Sequence, residues 1–249
     1  QDAISYYLDA QPLSINLYDI SHIVDPSVLL QLARRRGNTL RKLVHQTLLY
    51  QQFDISFNFR SNLVPTEFRI AILSSQFDGD HYISHAIITL LRACKKLATG
   101  FTLQFHLISS ANEPTMKERK VVLENLENLS NSFISAKSMS WHEIALHINS
   151  LNCQMFLDLD GYTRGALTEV SLLQVSPLQA HWFGYTGSLG LHEISHTFID
   201  RITATPEMKS LFSESFLYFP IHYSFLPVRN YTHDNEPRAW GDPSLSLQD

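Results

Sequence analysis

The chain has 249 residues, of which 44% are apolar and 17% charged, enough to bury one large core or two modest ones; this excludes disorder for most of its length. A formal net charge of -5, from 19 Lys and Arg against 24 Asp and Glu, comes with no basic run able to neutralise a row of phosphates, so no nucleic acid partner is expected. There is no run of 18 uninterrupted apolar residues and no basic, apolar, small-residue leader, so no membrane partner is expected either.

The two cysteines, Cys94 and Cys153, are far apart and form neither a C-x-x-C pair nor a disulfide framework, which fits a reducing compartment and a cytoplasmic or nuclear location. The chain begins with Gln1 rather than methionine, and processing or truncation of the natural beginning is expected.

In chain order, Asp25 is placed to cap a helix whose first turn accepts Pro26, Gly37 to end it, and Asn38 to start a second. Residues 1–60 are thus expected to form a helical lead-in segment. FRIAILSS, residues 68–75, predicts a buried strand, followed by the polar turn QFDGD and the helical run HYISHAIITLLRACKKL. FTLQFHLISS predicts a second strand and PTMKERKVVLENLENL an amphipathic helix. In SWHEIALHINSLN, Ser140 and Glu143 fit a capping box, and CQMFLDLD then predicts a strand ending in two carboxylates. After GYTRGALTEVSLLQ come the strand LQAHWFGY, the loop TGSLG, an extended HTFIDRI, a short helix TPEMKSLF and a strand ESFLYFP. Strands alternating with helices of this length predict crossover units around a mainly parallel sheet, whose ligands sit beyond the strand carboxyl ends. The lobe is expected over 61–228, and the polar, turn-rich residues 229–249 are expected to be a linker or cut end.

HEISH, residues 192–196, matches the H-E-x-x-H pattern of zinc peptidases, in which a helical turn brings two imidazoles onto one ion. Gly187 and Gly190 just before it, and Thr197, Phe198 and Ile199 just after, favour an extended segment instead. Extended, His192 and His196 would stand roughly 13 Å apart along the strand. His222 is the residue to nominate as a third ligand.

Other groups fall on the expected ligand edge. His81 and His85 lie at the start of the helix after the first strand, where an imidazole can take a proton from a hydroxyl near neutral pH. His81 is nearer the loop; His85 suits a packed or supporting role. Asp158 and Asp160 form either an acid–base pair or, through Asp160 before Gly161, an organised turn. Arg164, ahead of a helix start, suits a phosphate, a polar sugar or simply the surface. His142, His147 and His181 are expected to be structural or surface residues.

Several of these segments together resemble one family. LDLDGYTRGALTEVSLLQVSPLQAHWFGYTGSLG is similar to the catalytic region of the O-linked N-acetylglucosamine transferase family, with its plant O-fucosyltransferase relatives. The resemblance rests on Asp158, Asp160, Gly161, Tyr162, Thr163, Gly165, Pro177, Gln179, Trp182, Gly184 and Tyr185. Support comes from FRIAILSSQFDGDHYISHAI, IDRITATPE, FLYFPIHYSF and QPLSINLYDISHIVDPSVLLQLARRRGN.

The resemblance implies an α/β fold: the Rossmann-like amino-terminal lobe of a two-lobed GT-B glycosyltransferase, preceded by helices. It implies transfer of N-acetylglucosamine, with fucose as the other sugar in question, from a nucleotide donor such as UDP-GlcNAc to protein Ser or Thr hydroxyls with inversion, without a metal or other cofactor. By the same resemblance His81 is the residue beside the acceptor hydroxyl. His85, Asp158, Asp160, Tyr162, Thr163, Arg164 and Tyr185 become acceptor or cleft candidates. The donor site belongs mainly to a carboxy-terminal lobe expected to be missing here, which would leave this chain inactive alone. Thr186 stands where the family has proline, and Gln154 where it has histidine or aspartate. Only Asp200 remains of the pattern D-Y-x-x-x-D, with Ser195 and His196 in place of its Asp-Tyr. Two alternatives remain: a noncatalytic protein-binding lobe or degenerate paralogue, and a zinc metallopeptidase using HEISH.

Overall fold

The computed structural model describes residues 17–21, 23–52, 57, 59, 66–79, 81–96, 102–112, 117–182 and 184–219. The expected linker over 229–249, the nominated ligand His222 and the lead-in residues before 17 lie outside them.

A short helix α1 (Leu17–Ile20) leads to the long helix α2 (Pro26–Tyr50). Asp25 starts α2 by accepting from the Ser27 backbone N–H at 2.8 Å, and Pro26 occupies the first turn, where its missing N–H costs no hydrogen bond. The helix runs through Gly37 without a break, which corrects the two-helix expectation. A Cβ at this position would lie 2.5 Å from Cδ2 of the buried Leu191, so the glycine serves close packing rather than termination. Its intrinsic helical cost of about 1 kcal/mol is offset by letting α2 dock on the 185–194 region. Leu29, Leu32, Ala33 and Val44 pack there with Tyr185, Leu189, Leu191 and Ile194.

The remaining elements alternate. β1 (Glu67–Ser74), α3 (Tyr82–Lys96), β2 (Thr102–Ser109), α4 (Lys117–Leu129), β3 (Ser132–Ser135), α5 (Trp141–Ser150), β4 (Met155–Asp158), α6 (Thr168–Leu172) and β5 (Leu178–His181) lead to β6 (His196–Ile199). A 3-10 turn (Pro206–Leu211) and β7 (Ser215–Tyr218) follow. The strands form one seven-stranded sheet in the order β3-β2-β1-β4-β5-β6-β7, every adjacent pair parallel. β3 is a short edge strand the sequence did not announce, and β4 ends at Asp158, leaving Asp160 in the following loop.

Alternate side chains of the central strands enter opposite faces, which is why these strands read as continuous apolar runs. Ile72, Leu107, Leu157 and Ala180 pack with Ile83, Ile87 and Leu91 of α3 and Leu126 of α4. Ala71, Leu73, Ile108 and Phe156 pack on the other face with Ile144, Ala145 and Ile148 of α5 and Val170 of α6. Ser140 and Glu143 close the expected capping box on α5, the Ser140 N–H donating to Glu143 at 2.7 Å. Among the described residues no helix is long and apolar enough to cross a membrane.

Strand order places one position apart from the others. From β1 the chain winds outward through β2 to β3, then returns to the other flank of β1 and continues through β4 to β7. The loops leaving β1 and β4 therefore lead to helices on opposite faces, which is the point at which doubly wound sheets form their ligand crevice.

Candidate functional site at the switch point of the sheet

That crevice is built from the loop after β1 and the loop after β4, and buried carboxylates hold the two together. Asp160 accepts from Ser74 Oγ at 2.8 Å and from the Ser75 backbone N–H. Asp158 accepts through one oxygen from the backbone N–H groups of Asp160 at 2.8 Å and Gly161 at 3.0 Å, and through the other from Ser171 Oγ at 3.2 Å. Both carboxylates thus organise loops. Burial, followed by the neighbouring Asp158, pushes the Asp160 carboxyl up to about 7. His181, paired in register with Asp158 on β5, is fully buried, and desolvation holds its imidazole below the ordinary histidine range despite the Asp158 charge.

His81 immediately precedes α3 on the ligand edge. Its backbone N–H donates to Asp78 at 3.1 Å, and its ring Nδ1 accepts from the Ile83 N–H at 3.4 Å, fixing the imidazole against the first turn. The ring lies 4.3 Å from that of Tyr82, centroid to centroid. His85 follows one turn into α3, half-buried, with its carbonyl accepting from Thr89 Oγ1.

The other candidates divide between two places. Arg164 is 88% exposed at the crevice rim, 3.9 Å from Asp19, while its carbonyl accepts from Ser75 Oγ at 3.2 Å. The Thr163 N–H donates to the Asp160 carbonyl, and its buried Oγ1 has no partner among the described residues. Tyr162 and Tyr185 instead lie inside, edge to face with centroids 5.7 Å apart. The Tyr162 hydroxyl donates to the Leu189 carbonyl at 2.7 Å, and Arg36 sits 5.3 Å above its ring. Burial is the chief reason both phenols resist ionisation. Tyr162 therefore joins the β4 loop to the 185–194 region on which α2 docks. Beside the crevice, at the ends of β2 and β3, a depression of about 360 Å³ is lined by Phe77, Ser109, Ala111, Lys120, Glu124 and Phe133.

HEISH is a turn running into β6, not a helix. Glu193 is gripped by Arg41, Oε1 and Oε2 each 2.8 Å from a guanidinium nitrogen; burial pushes its carboxyl up, but the Arg41 pair together with a backbone hydrogen bond and neighbouring His192 holds it below its usual range. His196 Nδ1 is 2.7 Å from Ser195 Oγ. The zinc-peptidase geometry, which needs both histidines on one helical face and a glutamate able to reach water, is not present.

Sequence reasoning overlooked the serines that complete the crevice: Ser74 and Ser75 hold Asp160, and Ser171 holds Asp158. The only local signal was the pair of small polar residues closing an apolar strand. Gln179 was singled out only as part of the resemblance, and its role was missed: its amide accepts from the Val175 N–H and donates to the carbonyls of Ser171 and Glu193, tying α6 and the HEISH turn to β5. Gln154 lies at the opposite, amino-terminal edge of the sheet, where its Oε1 accepts from the Arg69 N–H at 2.7 Å.

A parallel doubly wound sheet, helices on both faces and a leading helix packed against its ligand side define a Rossmann-like lobe. The family model described as glycosyl transferase family 41 matches residues 12–231, and the chain belongs to that family. It is 25% identical over 224 residues to a protein of Arabidopsis thaliana described as "Probable UDP-N-acetylglucosamine--peptide N-acetylglucosaminyltransferase SEC", covering 87% of this chain and 21% of that protein. It is 26% identical over 156 residues to a UDP-N-acetylglucosamine--peptide N-acetylglucosaminyltransferase of Caenorhabditis elegans, covering 61% of this chain and 12% of that one. The chain thus spans about a fifth or less of the length of these relatives. A mutant of the Thermobaculum terrenum O-GlcNAc transferase shares the fold with a TM-score of 0.66 at 14% identity, over 82% of this chain and 36% of that one.

Proposed function

We propose that this chain is the acceptor-facing, amino-terminal lobe of a protein O-glycosyltransferase that moves N-acetylglucosamine from UDP-GlcNAc to Ser or Thr hydroxyls with inversion. The observation that carries the reading is the position of His81, pinned to the first turn of α3 at the switch-point crevice of a family 41 lobe. The sugar and the acceptor class follow the names of the relatives. In the reaction the acceptor oxygen attacks the anomeric carbon from the face opposite UDP. The carbon–oxygen bond to the diphosphate breaks with its electron pair leaving on UDP, and His81 either takes the hydroxyl proton itself or holds the hydroxyl in line while the departing diphosphate takes it. An extended acceptor peptide has room beside this point. The depression at β2 and β3 is about two strand spacings, roughly 10 Å, from the β1–β4 crevice, about three residues of extended peptide.

The division of labour between lobes is part of the proposal. A departing diphosphate needs fixed hydrogen-bond donors and cationic groups. Beside the first turn of α3, the described part of this crevice offers two buried carboxylates and one cationic side chain, Arg164, which points outward, so the donor is assigned to a carboxy-terminal lobe. Calorimetric titration of the 249-residue chain is expected to show UDP and UDP-GlcNAc binding no tighter than about 1 mM, and binding of a Ser/Thr acceptor peptide without nucleotide. Micromolar binding of UDP by this chain would contradict the division.

A further inference from the structure

We propose that Asp160 is a positioning residue for His81, acting through a continuous chain of hydrogen bonds from the β4 loop across the switch point to the first turn of α3. The inference rests on the role proposed above for His81. The chain is short and nearly all buried. The Asp160 carboxylate accepts from Ser74 Oγ at 2.8 Å, and Ser74 Oγ in turn accepts from the Gln76 backbone N–H at 3.0 Å. The other face of the same peptide segment is used as well: the Gln76 carbonyl accepts from Ser84 Oγ at 3.0 Å. Ser84, one turn into α3, donates its backbone N–H to the His81 carbonyl at 3.0 Å. Ser74, Ser84 and Asp160 are each no more than 2% exposed, so their side chains meet little competition from water, while Gln76 between them is half-buried. A second contact from the β4 loop grips the same segment, since the Arg164 carbonyl accepts from Ser75 Oγ at 3.2 Å and Gln76 Nε2 at 3.4 Å.

The geometry gives this chain a purpose that turn-making alone would not require. Asp158 already organises the β4 loop through the N–H groups of Asp160 and Gly161, which leaves the Asp160 carboxylate turned toward β1 instead of toward its own loop. What it fixes is the height at which the β1 loop leaves the sheet, and hence where α3 begins. An imidazole displaced by about 1 Å loses on the order of 10²-fold in rate.

The test uses Asp160→Asn, which keeps the size but removes one of the two charged acceptors, and Ser84→Ala, which cuts the chain at its far end with little change of volume. The first readout, on the 249-residue chain, is the chemical shift of the His81 imidazole Cε1–H with His147 of α5, on another helix, as internal reference. Both variants are expected to move the His81 resonance and leave that of His147 nearly unchanged. The second readout, in the full-length enzyme, is turnover: each variant is expected to lose about 10- to 100-fold in kcat with KM for the donor within twofold. The double variant is expected to lose no more than the worse single one, as links of one chain do. If His81 resonances are unmoved in both variants while melting temperature falls, Asp160 is structural only and the proposal is overturned. Moved resonances with unchanged transfer would sustain the chain and instead overturn the role of His81. Should Asp160→Asn fail to fold, Ser84→Ala alone decides between these outcomes.

Discussion

His81→Ala in the full-length protein is expected to lower turnover about 10²- to 10⁴-fold while donor affinity changes by less than about threefold. The range is that of a side chain that transfers or holds a proton in the transition state. The split follows from location. His81 belongs to the crevice of this lobe, whereas the nucleotide is assigned to the other, so removing the imidazole leaves ground-state donor binding intact. Steady-state kinetics against an acceptor peptide, with UDP binding measured separately, check both halves of the statement. The variant should fold normally, because His81 lies at the edge of the sheet, outside the buried clusters, and its bond to the Ile83 N–H at 3.4 Å is long. Turnover within threefold of the parent would remove His81 from the chemistry, whatever the fate of the family assignment.

Trp182→Ala is expected to destabilise the chain by about 3–5 kcal/mol, among the largest effects available from a single side chain. The indole is 2% exposed and stands in the cluster formed by Ile83, Ile87, Leu91 and Leu157. Phe198 of β6 and Phe219 after β7 flank it, with centroids 6.4 and 5.5 Å away. It thereby couples α3 to the late strands of the sheet. The glycine two residues on explains why this motif has the form W-F-G-Y: a Cβ on Gly184 would stand 2.1 Å from the Leu159 carbonyl, which instead accepts the Gly184 N–H at 2.9 Å. Urea unfolding followed by circular dichroism measures the loss. A change below about 1 kcal/mol would show that the indole does not bear on the core in the way described. The motif that most marked the family in the sequence is therefore, in this lobe, chiefly architecture.

The sheet was legible because its central strands are buried on both faces and their apolar runs are uninterrupted, as in FRIAILSS and CQMFLDLD. The place of His81 ahead of α3 was legible for a related reason: a strand, a polar turn and a helix start mark the carboxyl edge of the sheet without any long-range information. Gly37 was misread because a glycine ending a helix and a glycine admitting a neighbour look the same locally; Leu191, which decides the matter, is remote in sequence. β3 escaped notice because SFIS has four residues and pairs on one side only. The sequence left Asp160 between an acid–base pair and a turn of its own loop, because its partner Ser74 lies 86 residues away and carries no motif. HEISH shows the opposite case, where a motif is present but Arg41 and the β6 ladder give its residues other work.

The most direct measurement of the central claim is transfer by the full-length protein, with UDP-GlcNAc and GDP-fucose offered separately to Ser/Thr peptides and the linkage determined by mass spectrometry and NMR. Because the donor is α-linked and the attack comes from the opposite face, the account predicts β-linked N-acetylglucosamine on a Ser or Thr hydroxyl, lost in the His81→Ala protein. An α-linkage, or transfer of fucose with none of N-acetylglucosamine, would contradict it.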